Sequence, residues 1–100
     1  MIDDRFDAVL AELRAMHDRK NRDYGSDLDP YANVRASEDF GIPGWIGAVM
    51  RAGDKQRRLQ AAARGSELAN EGIRDSLIDN AVYYIIAAIL FDEASGPSGE

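Results

Sequence analysis

Phe6, Val9, Leu10, Leu13 and Met16 recur at helical spacing through roughly residues 3–20, with polar residues between them. That period predicts an amphipathic helix. Asp3 stands where an N-cap is expected, and Asp4 and Asp7 fall where the helix dipole favours negative charge. Over residues 21–42 no period is sustained. Gly25, Ser26, Asp27, Asp29, Pro30, Asn33, Ser37 and Gly41 punctuate this stretch, which predicts a long loop with room for one short helical turn. A loop of that length in a small domain is commonly functional.

Pro43 suits the first position of a second helix over about 43–64, and Gly65 is placed to stop it. Gly44, Gly47 and Gly53 lie inside that helix, each costing about 1 kcal/mol relative to alanine. Gly47 and Gly53 could instead permit close approach of another backbone or a ligand. Asn70 can cap a third helix over about 71–93, and "ASGPSGE" at 94–100 reads as a flexible tail. The expectation is an all-α, small three-helix domain over 1–93, with a long loop between helices one and two.

The third helix changes character along its length. Residues 71–80 are amphipathic, whereas 81–91, "AVYYIIAAILF", are apolar on every side. Such a segment needs cover all round, and two other helices of this length can hardly supply it. A homo-oligomer packed through residues 81–91 is therefore expected; the alternative is a monomer whose long loop folds over the open side.

Composition narrows the partners. One hundred residues carry a net charge of −6, which disfavours general binding to a DNA or RNA duplex but leaves room for a phosphorylated small molecule in a local basic site. The chain has no cysteine, so thiol nucleophiles and Cys-based zinc sites are absent. The acidic start "MIDDRFD" lacks the order of a signal peptide, and the eleven-residue apolar run is too short to span a bilayer. A cytoplasmic protein with no membrane partner is expected.

Charges fall in stripes. Arg51, Lys55 and Arg58 share one face of the second helix, while Glu71, Asp75 and Asp79 form a stripe on the third that Tyr83 continues. The short connection predicts antiparallel neighbours. In that register Arg64 approaches Glu71, and Arg58 and Lys55 approach Asp75 and Asp79. Two readings fit: a ladder of interhelical ion pairs, or the walls of a site in which cations grip phosphate oxygens while carboxylates bind Mg²⁺ or orient the basic groups. Asp3, Asp4 and Asp7 read better as first-turn acids than as metal ligands. His17, the only histidine, has no obvious nucleophile beside it and reads as structural. Trp45 is a core or interface anchor or a stacking platform for a base.

The order of elements then carries a resemblance. "KNRDYG" after the first helix, "RAGDKQRRL" in the second and "NEGIRDSLIDNAVYYIIAAIL" in the third resemble the phage-type nucleotide-modification-associated domains, similar to MazG-like all-α nucleoside triphosphate pyrophosphatases. The matching positions are Lys20, Asp23, Tyr24 and Gly25; Lys55 and Arg58; and Glu71, Gly72, Ile73, Asp75, Asp79, Asn80 and Tyr83. The catalytic members pair a glutamate-glutamate-x-x-glutamate cluster with a glutamate-x-x-aspartate cluster to hold Mg²⁺. This chain has neither; its helix-three acids are spaced by four.

The resemblance thus implies nucleotide recognition more than hydrolysis. The expected function is a non-catalytic binder of a nucleotide or nucleotide-derived signal, such as a phage protein sequestering a host-defence nucleotide. Tyr24 or Trp45 would stack on the base; Lys20, Arg51, Lys55 and Arg58 would hold phosphates; Asp23 or Asn80 would read a base or ribose edge; Tyr83 would lie at the floor. One alternative is a MazG-like pyrophosphohydrolase with Mg²⁺ on Glu71, Asp75 and Asp79. Another is an oligomeric scaffold or partner-binding module.

Overall fold

The computed structural model describes residues 3–24, 31–65 and 70–96, with side chains described except at 20–24, 70 and 71. Every element among them is helical: α1 (Asp4–Tyr24), α2 (Ala32–Arg35), a 3-10 segment (Ala36–Phe40), α3 (Gly44–Ala63) and α4 (Asn70–Ser95). The all-α expectation holds, with four α-helices in place of three. The chain divides into two compact units, Met1–Asn33 and Val34–Glu100.

In the first unit Asp3 caps α1 as expected. Its Oδ1 accepts the backbone N–H of Arg5 at 3.1 Å and of Phe6 at 3.2 Å, satisfying two of the donors that a helix start leaves orphaned. The helix runs to Tyr24, four residues beyond the expected end near 20. Nothing before Gly25 breaks it: residues 20–23 contain neither proline nor glycine, and the cations Arg19, Lys20 and Arg22 suit the negative end of the dipole. On the apolar stripe Leu13 is buried and Met16 half-buried, whereas Phe6 and Leu10 are exposed. Half-buried His17 stacks on Tyr31, ring centroids 6.0 Å apart and planes 21° from parallel.

Residues 32–40, expected as loop with room for one short helical turn, hold two such elements, α2 and the 3-10 segment, and straddle the boundary after Asn33. Tertiary anchors hold them. Val34 is buried, and Arg35 Nη2 donates to Glu93 Oε2 at 2.7 Å, tying α2 to the far end of α4. Ser37 Oγ donates to the carbonyl of Ile42 at 3.1 Å. The start of α3 lies so close to this segment that a Cβ on Gly47 would come within 2.9 Å of Val34 O.

α3 packs on α4 through a small-residue stripe, Gly44, Ala48 and Ala52, all buried; buried Gly47 lies against residues 34–37 instead. Three contacts give the register: Lys55 meets Asp79, Trp45 meets Phe91, and Gly44 lies against Leu90. As numbers fall along α3 they rise along α4, so the helices are antiparallel, as the short connection predicts. Opposite the small face, α4 supplies Ile86, Ala87 and Leu90, all buried; burying a leucine side chain contributes about 1.5–3 kcal/mol. Gly65, at φ 99°, ends α3 in a left-handed turn, as expected for a helix stop. α4 continues to Ser95, past the expected end at 93; residues 97–100 of the expected tail lie outside the described residues.

Candidate functional site

Ser76, Asp79, Asn80 and Tyr83 fall at i, i+3, i+4 and i+7 on α4. Those are the spacings of a core stripe. All four are polar, and all face inward: Ser76 is 1% and Asn80 7% exposed, and Asp79 and Tyr83 are half-buried. One helical face therefore changes from polar in its first half to apolar at Ile86, Ala87 and Leu90 in its second.

Lys55 on α3 reaches this polar patch. Its Nζ lies 3.2 Å from Asp79 Oδ2, with side chains 27% and 15% exposed. Partial burial makes the attraction stronger than that of a solvated surface pair. An ammonium has three donors, so pairing with Asp79 leaves Lys55 able to bind an anionic oxygen as well. Beside the pair, Ser76 Oγ and Asn80 Oδ1 are buried and have no hydrogen-bond partner. Each buried polar atom left in that state costs about 1–3 kcal/mol, and native interiors keep few of them. A group that brought a donor to Asn80 and a donor or acceptor to Ser76 would recover that loss.

The predicted ion-pair ladder is realised at Lys55–Asp79. Arg58, Arg64 and Asp75 are exposed, and the Glu71 side chain lies outside the described residues. Arg51 is exposed on the same α3 stripe. Trp45 is half-buried and meets Phe91 edge-on, with centroids 5.5 Å apart and planes at 80°, an arrangement that anchors the start of α3 to the end of α4. The side chains of Lys20, Asp23 and Tyr24 lie outside the described residues, although their backbone is the last turn of α1.

Among the described residues no three acids or histidines converge as metal ligands would. Asp75 and Asp79, two of the three positions considered for Mg²⁺, differ in setting: one faces solvent, the other Lys55.

Family models, curated proteins and solved structures yield no match to this chain. Nor is any helix among the described residues long and apolar enough to cross a membrane.

Ser76 was not among the residues expected to form a site. Its signal was available: a serine at the head of an i, i+3, i+4, i+7 set whose other members were all candidates.

Proposed function

We propose that the chain is a non-catalytic binder of a nucleotide or nucleotide-derived signal, held at the α3–α4 face around Lys55 and Asn80. The observation that supports this most is the pair of buried, unpartnered oxygens on Ser76 and Asn80 beside a half-buried Lys55. Lys55 supplies a cation for a phosphate oxygen, and Arg51 and Arg58 continue the same positive stripe toward solvent. Asn80 offers an acceptor for an amino or imino group on a base edge, and Tyr83 lies one turn beyond it. The motif order that resembles nucleotide-modification-associated domains points to the same ligand class, and to sequestration of a defence nucleotide as its use. Self-association through residues 81–91 would help so small a chain enclose a ligand.

Incubation with a panel of nucleotides and Mg²⁺, followed by heat extraction and mass spectrometry, tests the reading. Ligand recovered intact and in proportion to protein supports it. Monophosphate in excess over protein would replace it with the pyrophosphohydrolase reading, and no retention of any nucleotide would leave the scaffold. Ser76→Ala provides the sharper internal check. Because Oγ has no partner in the free protein, its removal should leave stability unchanged or raise it by up to about 1 kcal/mol. Nucleotide affinity should nonetheless fall, by roughly fivefold or more for one lost hydrogen bond. A Ser76→Ala variant that unfolds easily yet binds normally would show that the patch serves only the fold.

A further inference from the structure

The two oxygens offered by Ser76 and Asn80 are closed to solvent, in residues 1% and 7% exposed. A ligand reaches them only if something covering them moves. The register identifies the segment beside them. Gly44 lies against Leu90 and Lys55 meets Asp79, so Asn80 stands level with about residue 54 of α3 and Ser76 with about residue 58.

α3 is held unevenly along its length. Its buried residues, Gly44, Gly47, Ala48 and Ala52, all fall before Gly53. From Gly53 to Ala63 none is buried, and Leu59, Ala61 and Ala62 are only half-buried. The first half is packed against α4 and, at Gly47, against residues 34–37. The second half is tied to α4 by Lys55 Nζ, 3.2 Å from Asp79 Oδ2. Segments with little buried apolar surface open at a lower free energy than the rest of a fold.

Gly53 stands at the junction of the two halves. Nothing lies within 4 Å of a Cβ built there, so no close approach accounts for a glycine in the middle of the helix, where it weakens the helix relative to alanine. Gly47, by contrast, is explained by its neighbours. Glycine does let a helix bend, and hinges are often small residues that absorb a change in the backbone.

We propose that Gly53 is a hinge on which residues 53–63 swing away from α4, with the Lys55–Asp79 pair as latch, and that this swing uncovers Ser76 and Asn80. Breaking the pair also turns the Lys55 ammonium free for an arriving phosphate. Use of the opening as a nucleotide entrance rests on the function proposed above. The motion itself does not, and it is tested without ligand.

Because the chain has no cysteine, a single introduced thiol reports opening cleanly. Ser76→Cys should react with iodoacetamide at least tenfold faster than Ala87→Cys at the apolar end, both variants being checked for native circular dichroism. Low urea should hardly change the first rate, whereas the second should rise with the slope of global unfolding. Adding Gly53→Ala to Ser76→Cys should slow labelling by roughly fivefold, from the gain in helix propensity, and adding Asp79→Asn should speed it severalfold. In the unsubstituted chain, amides 54–57, whose helical bonds span Gly53, should exchange with weak urea dependence and amides 48–52 with the global slope. Identical urea slopes at the two thiols, or a Ser76→Cys rate indifferent to Gly53→Ala, would overturn the hinge. A rate indifferent to Asp79→Asn would overturn the latch. Gly53→Ala alone should slow nucleotide association by a similar factor, and unaltered association would overturn the entrance. Failure to bind any nucleotide would overturn the proposed site, while the thiol rates still decide the hinge.

Discussion

Gly47 and Gly53 lie six residues apart on α3, and replacing each by alanine should move stability in opposite directions. In an exposed helix interior the change gains about 1 kcal/mol of helix propensity at either site. At Gly53 nothing lies within 4 Å of an added Cβ, so the gain stands. At Gly47 the same Cβ would run into Ser37 Oγ and come within 2.9 Å of both Ser37 Cβ and Val34 O. A hydroxyl can swing aside, but a backbone carbonyl held in α2 cannot do so without moving the segment. Overpacking of this kind costs about 1–3 kcal/mol, and the rigid neighbour places it toward the upper end. Gly47→Ala should thus lose about 1–2 kcal/mol net and Gly53→Ala gain up to about 1. For a domain of this size, that separates their melting temperatures by on the order of 10 °C or more. Urea titrations followed by circular dichroism at 222 nm read the difference as midpoints at constant slope. Combining Gly47→Ala with Ser37→Ala should recover only part of the loss, because Ser37 Cβ and Val34 O remain in place. Equal midpoints for the two alanine variants would refute the close approach of α3 to residues 34–37.

Lys55→Met should destabilise by about 1–3 kcal/mol, since it removes the ammonium that lies 3.2 Å from a mostly buried Asp79 carboxylate. Arg57→Ala, which removes the partner of Asp54 in a pair 72% exposed on both sides, should change the urea midpoint hardly at all. Arg35→Ala cuts the 2.7 Å tie to Glu93 and should cost about 1 kcal/mol. Hydrogen exchange should show the loss first at residues 36–40, and raising the salt concentration should shrink the difference from wild type.

What could be read from the sequence was local chemistry and period. Asp3 declared the start of α1 and Gly65 the end of α3, because caps depend on the few residues around them. The antiparallel register was legible too, since cations on one helix and acids on the next recur at the same spacing across a short connection. Residues 32–40 were not. Four residues of α-helix and five of 3-10 are too short to show a period, and their support comes from Glu93, some sixty positions away, and from the cradle at Gly47. The last turn of α1 was misjudged for the opposite reason. Residues 20–23 add no apolar position to the stripe, although arginine and lysine favour a helix and suit its C-terminal end.

The polar patch on α4 is not what folding alone would select. Were folding the only demand, Ser76 and Asn80 would be better as alanine and leucine, which continue the stripe of Ile86, Ala87 and Leu90 without stranding an oxygen. The sequence instead holds four polar residues at core spacing and sets Lys55 opposite them. A salt bridge alone would account for Lys55 and Asp79, and a solvated face would account for an exposed serine. Neither accounts for two unpartnered oxygens, at 1% and 7% residue exposure, one turn apart. An interior that strands two oxygens in this way gives up a few kcal/mol, and the ligand proposed above, arriving with its own hydrogen-bonding atoms, would recover it through an amide and a hydroxyl one turn apart on α4 and an ammonium on α3.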